Sequence, residues 1–181
     1  MEENSIQQCL VLIKPDGLIK SLTGNIISAL SQTELKIVAS KIVSVKRELV
    51  EAHYSELKAG LITKFGEEKG NEVFERVIKY IQGEFHTNRV MALVYHGENA
   101  IKKIRDVVGS TNPEEASPVS IRGKYGRVHS KTNVFENVVH ASDSEASAKR
   151  EVQLWFSPDE LAEVIYPTEK KSETIEKNFW K

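Results

Sequence analysis

The sequence predicts a mixed α/β protein of the α+β class, in which helices cover one face of an antiparallel sheet. Two observations predict this fold. Four short apolar or β-branched runs, typical of strands, alternate with segments whose apolar residues recur at helical spacing. Their order is strand, helix, strand, helices, strand, helix, strand, helix, which is a βαββαβ layout with extra helices. A chain of 181 residues is long enough for one such domain.

The first half of the chain carries both patterns. Apolar or β-branched runs predict strands at residues 9–14 and 35–45. Apolar residues three or four positions apart predict helices at residues 24–32, 47–58 and 71–82. Residues 59–70 contain three glycines and mixed polarity, so we expect a loop there.

The second half predicts two more strands and two more helices, separated by a long loop. Strands are expected at 89–97 and 137–140, a helix at 98–109, and a last helix capped by Ser142 or Asp143. Residues 110–136 show no periodicity, and so long a loop in a small domain is usually functional. We expect a substrate loop there, a domain over 1–161, and an extension over 162–181 that leaves the domain and docks through Phe179 and Trp180.

Composition excludes several classes of function. The formal net charge is -1, so there is no general attraction to nucleic acid, and no specific nucleic-acid partner is expected. No apolar run approaches the ~20 residues that span a bilayer, and the N-terminus lacks a signal pattern. Cys9 is the only cysteine, which fits a reducing compartment. A cytoplasmic protein without a membrane partner is therefore expected.

Several cations and donors could handle phosphate. Lys14 ends a strand, Arg105 lies late in a helix with Thr111 just beyond it, and Arg122 lies in the long loop. Each of these alone is more often a solvated structural residue. The P-loop spacing is absent, and the five histidines have no metal-site spacing, so no metal held by the protein is expected.

His140 ends the last strand, within the stretch NVVHASDS. A histidine in such a place is usually structural. Here, however, small residues follow it, Ser142 among them, and the next helix begins with an N-terminus that favours anions. Glu151 lies on the face of that helix where it could reach back to the imidazole.

Five stretches, taken together and in this order, resemble the nucleoside diphosphate kinase family. They are LVLIKPDGL, TGNIISAL, HYSELK, IRDVVGSTNPEEASPVSIRGKYG and NVVHASDSEASAKREVQLWF, within residues 7–161. The resemblance implies a ferredoxin-like fold with extra lid helices. It also implies transfer of the γ-phosphate of a nucleoside triphosphate to a nucleoside diphosphate, through a phosphohistidine intermediate in a ping-pong reaction.

The resemblance also implies roles for individual residues. His140 would be the nucleophile, Glu151 its acidic partner, Tyr54 the tyrosine beside it and Ser142 the adjacent hydroxyl. Other positions would bind the nucleotide: Lys14, Arg105, Thr111 and Arg122 the phosphates, Asn137 the ribose and Val134 the base. Mg²⁺ would be held by the nucleotide phosphates. A homo-oligomer, hexamer or tetramer, is also implied.

The chain departs from the family pattern at two places. The usual Phe-Phe-Pro of the lid is replaced within an altered insertion over residues 59–75. By comparison with the usual family member, the stretch between Arg122 and Asn137 is about five residues longer. The base would then meet Phe65, Phe74 or Ile62 in place of the usual aromatic. Phe74 belongs to an apolar helical face, which predicts a core position.

The sequence also offers two alternative functions. Residues 122–129, RGKYGRVH, superficially resemble an RNA-recognition motif, but Lys124 stands where that motif has an aromatic residue. A catalytically silent relative that only binds partners is the other alternative. The presence of His140 and of the candidate phosphate ligands argues against it.

Overall fold

The fold is built on a four-stranded antiparallel sheet whose strand order is β2-β3-β1-β6. A computed structural model describes residues 5–130, 134–172, 174 and 180. Six strands are found in these ranges: β1 Ile6–Ile13, β2 Lys36–Ser44, β3 Arg89–Glu98, β4 Arg127–Val128, β5 Phe135–Glu136 and β6 Val139–Ala141. The pair β4 and β5 forms a separate small hairpin. The predicted βαββαβ sheet is confirmed.

Eight α-helices and two short 3₁₀ helices, Ser31–Thr33 and Pro158–Glu160, accompany the strands in the described part of the chain, and the α-helices are numbered here. They are α1 Pro15–Ile19, α2 Thr23–Leu30, α3 Arg47–His53, α4 Ser55–Phe65, α5 Glu67–Ile81, α6 Ala100–Val108, α7 Ile121–Tyr125 and α8 Glu145–Trp155. The helix predicted at 47–58 is interrupted at Tyr54, where the backbone leaves helical geometry and α4 begins.

The sheet is covered by helices on both faces, not on one as expected. Alternate residues of the central strand β1 point to opposite sides of the sheet. Val11 and Ile13 pack in a core with α2 and α6, while Leu10 and Leu12 pack in a second core with α3, α5 and α8. The continuous apolar run of β1 follows from this burial on both sides.

The loop predicted at 59–70 is wrong, because these residues belong to the helical hairpin of α4 and α5. The glycines serve the hairpin itself. Gly66 has a φ of 81° at the junction, a conformation that glycine adopts without strain. A Cβ on Gly70 would lie 2.7 Å from the Cα atom of Ile62, so glycine allows the two helices to pack closely.

The long segment 110–136 also has more structure than predicted. It contains α7, β4 and β5, and the side chain of Ser120 caps α7 by accepting a hydrogen bond from the backbone N–H of Gly123. Such short elements leave no periodicity in the sequence. The last helix is capped by Ser144, not by Ser142 or Asp143 as predicted, and its hydroxyl accepts from the backbone N–H of Ser147.

The beginning of the C-terminal extension packs on the domain instead of leaving it. The N–H of Ala162 donates to the carbonyl of Val38 at 2.8 Å, and Lys36 pairs with Glu163 at 3.1 Å. Farther along, Trp180 is fully exposed, whereas the predicted docking residue Phe179 lies outside the described residues. Within the described ranges, every helix is too short or too polar to cross a membrane.

Candidate active site

His140 lies in the short edge strand β6, paired with Leu12 of β1. Its Nε2 atom is 3.1 Å from Oε2 of Glu151, which projects from α8. The Ser142 hydroxyl donates to the same carboxylate oxygen at 2.6 Å, and the Leu10 N–H donates to that hydroxyl at 3.0 Å. The carboxylate is thus bound from two sides, and the imidazole is anchored through it to the sheet.

The His140 side chain is 20% exposed, whereas that of Glu151 is only 5% exposed. A buried carboxylate is stabilised when it accepts hydrogen bonds, as this one does. Because a carboxylate accepts, the neutral imidazole carries its proton on Nε2, and this tautomer leaves the lone pair on Nδ1. The geometry therefore provides one free nucleophilic nitrogen.

Two aromatic residues from the end of α3 lie against the His140 ring. The ring centroid of His53 is 4.5 Å from that of His140, with an interplanar angle of 78°. Tyr54 lies farther away, at 6.2 Å between ring centroids. Burial raises the pKa of the Tyr54 hydroxyl, and the charge of Glu151 raises it further. Tyr54 is therefore a neutral hydroxyl donor beside the histidine.

Lys14 and Asn137 form a second part of the site. The Lys14 ammonium donates to Oδ1 of Asn137 at 2.7 Å, and the Asn137 amide donates to the Thr111 carbonyl at 2.8 Å. Burial lowers the pKa of Lys14 to about 8, although the nearby Asp16 carboxylate opposes the shift. Lys14 is thus a buried amine at the end of β1, poised to gain a compensating anion.

Arg122 is buried, and its guanidinium donates to the Val139 carbonyl at 3.0 Å and to the Gly109 carbonyl at 2.9 Å. Burial lowers the pKa of Arg122 to about 10, and the positive charge of Arg105 contributes. The Arg105 side chain is exposed on α6, beside an open cavity of about 490 Å³ that Asp143 also lines. The two arginines thus lie near enough for the charge of one to act on the other.

The backbone just before His140 is in an unusual conformation. Val138 has a φ of 56°, which is costly for a β-branched residue. The buried Asp16 holds it by accepting the Val138 N–H at 2.9 Å, and the Lys14 N–H donates to the Val138 carbonyl at 2.9 Å. A Cβ on Gly17 would lie 2.9 Å from that carbonyl oxygen, so the turn after Lys14 admits only glycine comfortably.

Sequence reasoning missed a charge cluster around the buried Glu136, next to Asn137. Glu136 accepts from Arg127 at 2.6 Å and lies 3.1 Å from His86 and 3.4 Å from Lys20. Burial alone would raise the pKa of Glu136, but these partners outweigh burial and hold it at about 2. The cluster ties the β4–β5 hairpin to the start of the chain. Its four residues are spread along the chain from position 20 to position 136, so no local pattern in the sequence indicated it.

The remaining predicted residue, Val134, lies just before β5 and packs at the edge of the core that contains Leu10. The structure therefore brings His140, Glu151, Ser142 and Tyr54 into one cluster. It joins Lys14, Asn137 and the Thr111 carbonyl in a second. Arg122 reaches the strand of His140 through the Val139 carbonyl.

Three side chains beside the nucleophile could in principle approach a metal ion. Potential ligand atoms of His53, His140 and Glu151 all lie within 4.8 Å of one another. Two imidazoles suit transition metals, whereas Mg²⁺ prefers an octahedral set of oxygen ligands. This cluster is therefore not a magnesium site. Oxygen ligands of the kind that Mg²⁺ prefers are those of nucleotide phosphates, and that the nucleotide holds the ion stays a prediction.

This grouping of cations around a histidine at one end of an α+β sheet is typical of enzymes that transfer phosphoryl groups. The family model described as nucleoside diphosphate kinase matches residues 7–161. The chain therefore belongs to the nucleoside diphosphate kinase family. The predictions of family, fold and phosphotransferase activity are confirmed.

Relatives of known name support the same family assignment. A nucleoside diphosphate kinase of Staphylococcus epidermidis is 38% identical over 164 residues, which cover 91% of this chain and 97% of the relative. One of Archaeoglobus fulgidus is 40% identical over 156 residues, covering 86% of this chain and 90% of the relative.

Two solved structures show the same fold. The NDP kinase of Pyrobaculum aerophilum has a TM-score of 0.76 and 29% identity, covering 88% of this chain and 100% of its own. The enzyme of Borrelia burgdorferi, solved as a transition-state mimic with bound vanadate and ADP, has a TM-score of 0.73 and 31% identity. That match covers 92% of this chain and 93% of the other.

Proposed function

We propose that His140 is the nucleophile of a nucleoside diphosphate kinase and that it carries the phosphoryl group between two nucleotides. The observation that carries the proposal is the hydrogen bond from Nε2 to Glu151, because it fixes the proton on Nε2 and frees Nδ1. A neutral imidazole already presents a lone pair, so it needs no strong base to act as a nucleophile.

The reaction has two balanced steps. In the first, the Nδ1 lone pair of His140 attacks the γ-phosphorus, the bond to the β,γ-bridging oxygen breaks, and the nucleoside diphosphate leaves. In the second, a terminal oxygen of another nucleoside diphosphate attacks the same phosphorus, and the N–P bond breaks. Glu151 accepts a hydrogen bond from Nε2–H in both steps, so the proton stays on Nε2. Its negative charge stabilises the positive charge that develops on the ring.

The cations and donors around the site bind the phosphates in this proposal. Lys14, Arg105, Arg122 and Thr111 would contact phosphate oxygens, and Asn137 would contact the ribose. Phosphoryl transfer depends mainly on positioning and on stabilising charge, which fixed cations provide. Mg²⁺, when bound between the phosphates, neutralises part of their charge. Tyr54 and Ser142 complete the site as hydroxyl donors beside the histidine.

The nature of the intermediate tests this function directly. The protein is incubated with γ-labelled ATP in the absence of an acceptor, and the label on the chain is followed after acid and alkali treatment. Acid-labile and alkali-stable label is expected for phosphohistidine, and addition of a nucleoside diphosphate should remove it. Acid-stable label would instead indicate a hydroxyl ester and would contradict the proposal.

The lowered pKa of Lys14 predicts a pH dependence of nucleotide binding. Below pH 8 the amine is charged, and above about 8 it loses its proton, so kcat/KM should fall as pH rises through that value. Bound phosphate stabilises the ammonium, so kcat should persist to higher pH. Lys14→Arg keeps its charge and should lack this limb. If kcat/KM still falls at the same pH in that variant, a group other than Lys14 is responsible for the fall.

The role assigned to Glu151 is tested by a conservative change. Glu151→Gln retains an oxygen that can accept from His140, but it loses the charge that stabilises the developing imidazolium. We expect kcat to fall by about tenfold to 100-fold, with KM nearly unchanged. Glu151→Ala, which removes the acceptor, should be worse. Equal losses in the two variants would show that the acceptor oxygen is unimportant.

In this proposal, Val134 and the hairpin of α4 and α5 contact the base of the nucleotide. Phe65 is 46% exposed at the end of α4, whereas Phe74 is 2% exposed in the core. Phe65→Ala should raise the KM for nucleoside diphosphates by at most about tenfold, with kcat nearly unchanged. Phe74→Ala should lower the free energy of unfolding by ~3 kcal/mol or more. Unchanged KM for both a purine and a pyrimidine acceptor in Phe65→Ala would exclude stacking.

The assembly and the location complete the proposal. We propose a homo-oligomer, hexamer or tetramer, in the cytoplasm, on the basis of the family and of the single buried cysteine. Burial raises the pKa of the Cys9 thiol to about 12, so it remains an unreactive thiol. The mass of the assembly in solution tests the first point.

A further inference from the structure

His53 is a second buried histidine at the site, and its protonation pattern is fixed by a tryptophan. The indole Nε1–H of Trp155 donates to His53 Nδ1 at 3.1 Å. An indole nitrogen can only donate, so Nδ1 must present its lone pair. The proton of the neutral imidazole therefore resides on Nε2.

The same contact disfavours the charged form of His53. The imidazolium would carry a proton on both nitrogens, and the one on Nδ1 would face the indole N–H. Burial lowers the pKa of His53 well below its usual value, and the neighbouring His140 and Arg150 lower it further. The Arg150 guanidinium also donates to the His53 carbonyl at 3.3 Å.

The Nε2–H of His53 is buried beside the His140 ring. His53 is 3% exposed, and its Nε2 atom has no hydrogen-bond partner among the residues that the structure describes. Leaving a buried donor unpaired costs about 1 to 3 kcal/mol, so a purely structural site would gain from an apolar side chain here. This tautomer also offers a metal an N–H instead of a lone pair, which argues against metal binding at this cluster.

We propose that His53 is a positioning residue for His140, held neutral in the Nε2–H tautomer by Trp155. Its ring stands nearly perpendicular to that of His140 and restricts the rotation of the nucleophile. Glu151 fixes one nitrogen of His140, and His53 supports the ring from a second direction. Protonation of His53 would place a cation against the ring and oppose formation of the imidazolium during transfer. The inference rests on the proposed role of His140.

Nuclear magnetic resonance of the unaltered protein tests the tautomer without any substitution. In protein labelled with ¹⁵N-histidine, His53 should show a protonated Nε2 and an unprotonated, hydrogen-bonded Nδ1. It should stay neutral as the pH is lowered from 8 to about 5, where an ordinary histidine is charged. A protonated Nδ1 at neutral pH, or titration near the ordinary pKa, would overturn the proposal.

Trp155→Phe tests the functional consequence, because it removes the donor and retains most of the bulk. The neutral form of His53 loses a hydrogen bond, so its pKa rises. In this proposal the rate of phosphoenzyme formation falls at low pH as His53 becomes charged. This fall, the acid limb of the pH profile, should therefore move to higher pH. At neutral pH, kcat should fall by about tenfold to 100-fold, while the KM for the nucleotide stays the same. This is the size of effect seen when a residue that orients a metal-binding histidine is changed, and Trp155 orients His53 in the same manner. Trp180→Phe, at a fully exposed site, is the matched control.

A second substitution separates positioning from packing. His53→Phe keeps a ring but cannot titrate, so adding Trp155→Phe to it should not move the acid limb further. A shift of equal size in both backgrounds would show that Trp155 acts through another group and would overturn the proposal. An unmoved limb in Trp155→Phe itself would do the same. Failure of the function proposed for His140 is distinguished by the absence of any phosphoenzyme in the unaltered protein.

Discussion

His140→Ala is expected to abolish both the labelling of the protein by γ-labelled ATP and the exchange of phosphate between nucleotides. The covalent intermediate needs the Nδ1 atom, and no other described nitrogen is held by Glu151 in this way. We expect turnover to fall on the order of 10⁴-fold or more, as for the loss of other catalytic nucleophiles. The side chain is only 20% exposed and bonds to the buried Glu151, so the substitution should also lower the free energy of unfolding, and kinetics should be measured well below the melting temperature.

A histidine of similar exposure provides the control. The His96 side chain, on β3, is 19% exposed and lies next to Gln8, on the strand that pairs with β3. His96→Ala should retain phosphoenzyme formation and exchange. Normal turnover in His140→Ala would contradict the mechanism, and loss of turnover in both variants would indicate damage to the fold.

Arg122→Ala is expected to lower kcat by about 10² to 10³-fold, with a smaller effect on nucleotide binding. The charge that the guanidinium meets on the phosphoryl oxygens grows in the transition state, which is why kcat should bear most of the loss. The variant also leaves the carbonyls of Val139 and Gly109 without this donor, so its melting temperature should fall. Kinetics should therefore be measured well below that temperature.

Two other variants complete this experiment. Arg122→Lys should not restore kcat, because an ammonium cannot match the planar fork that reaches both carbonyls. Arg89→Ala, at an exposed position of β3, is the control for loss of a positive charge. A variant of Arg122 that loses affinity while kcat is retained would assign this residue to ground-state binding.

The sheet was predictable because its signals are local. The apolar run of β1 and the helical spacing of α2, α5 and α6 appear in the sequence wherever an element buries one face. The hairpin of α4 and α5 was not, because Gly66 and Gly70 gave the pattern of a loop. Their actual uses, a positive φ and a close approach of two helices, depend on contacts between segments.

The sequence by itself determined the family and the order in which the four strands of the sheet follow along the chain, since these follow from motifs and apolar runs that span a few residues. It predicted His140 as the nucleophile. It also indicated Glu151, eleven positions beyond His140, because the spacing lies along one helix. Only the tertiary structure decided the rest of the site. Trp155 meets His53 across 102 positions of the chain, and Asp16 meets Val138 across 122. Protonation states and strained backbone depend on such distant contacts, because burial and hydrogen-bond partners are properties of the folded molecule.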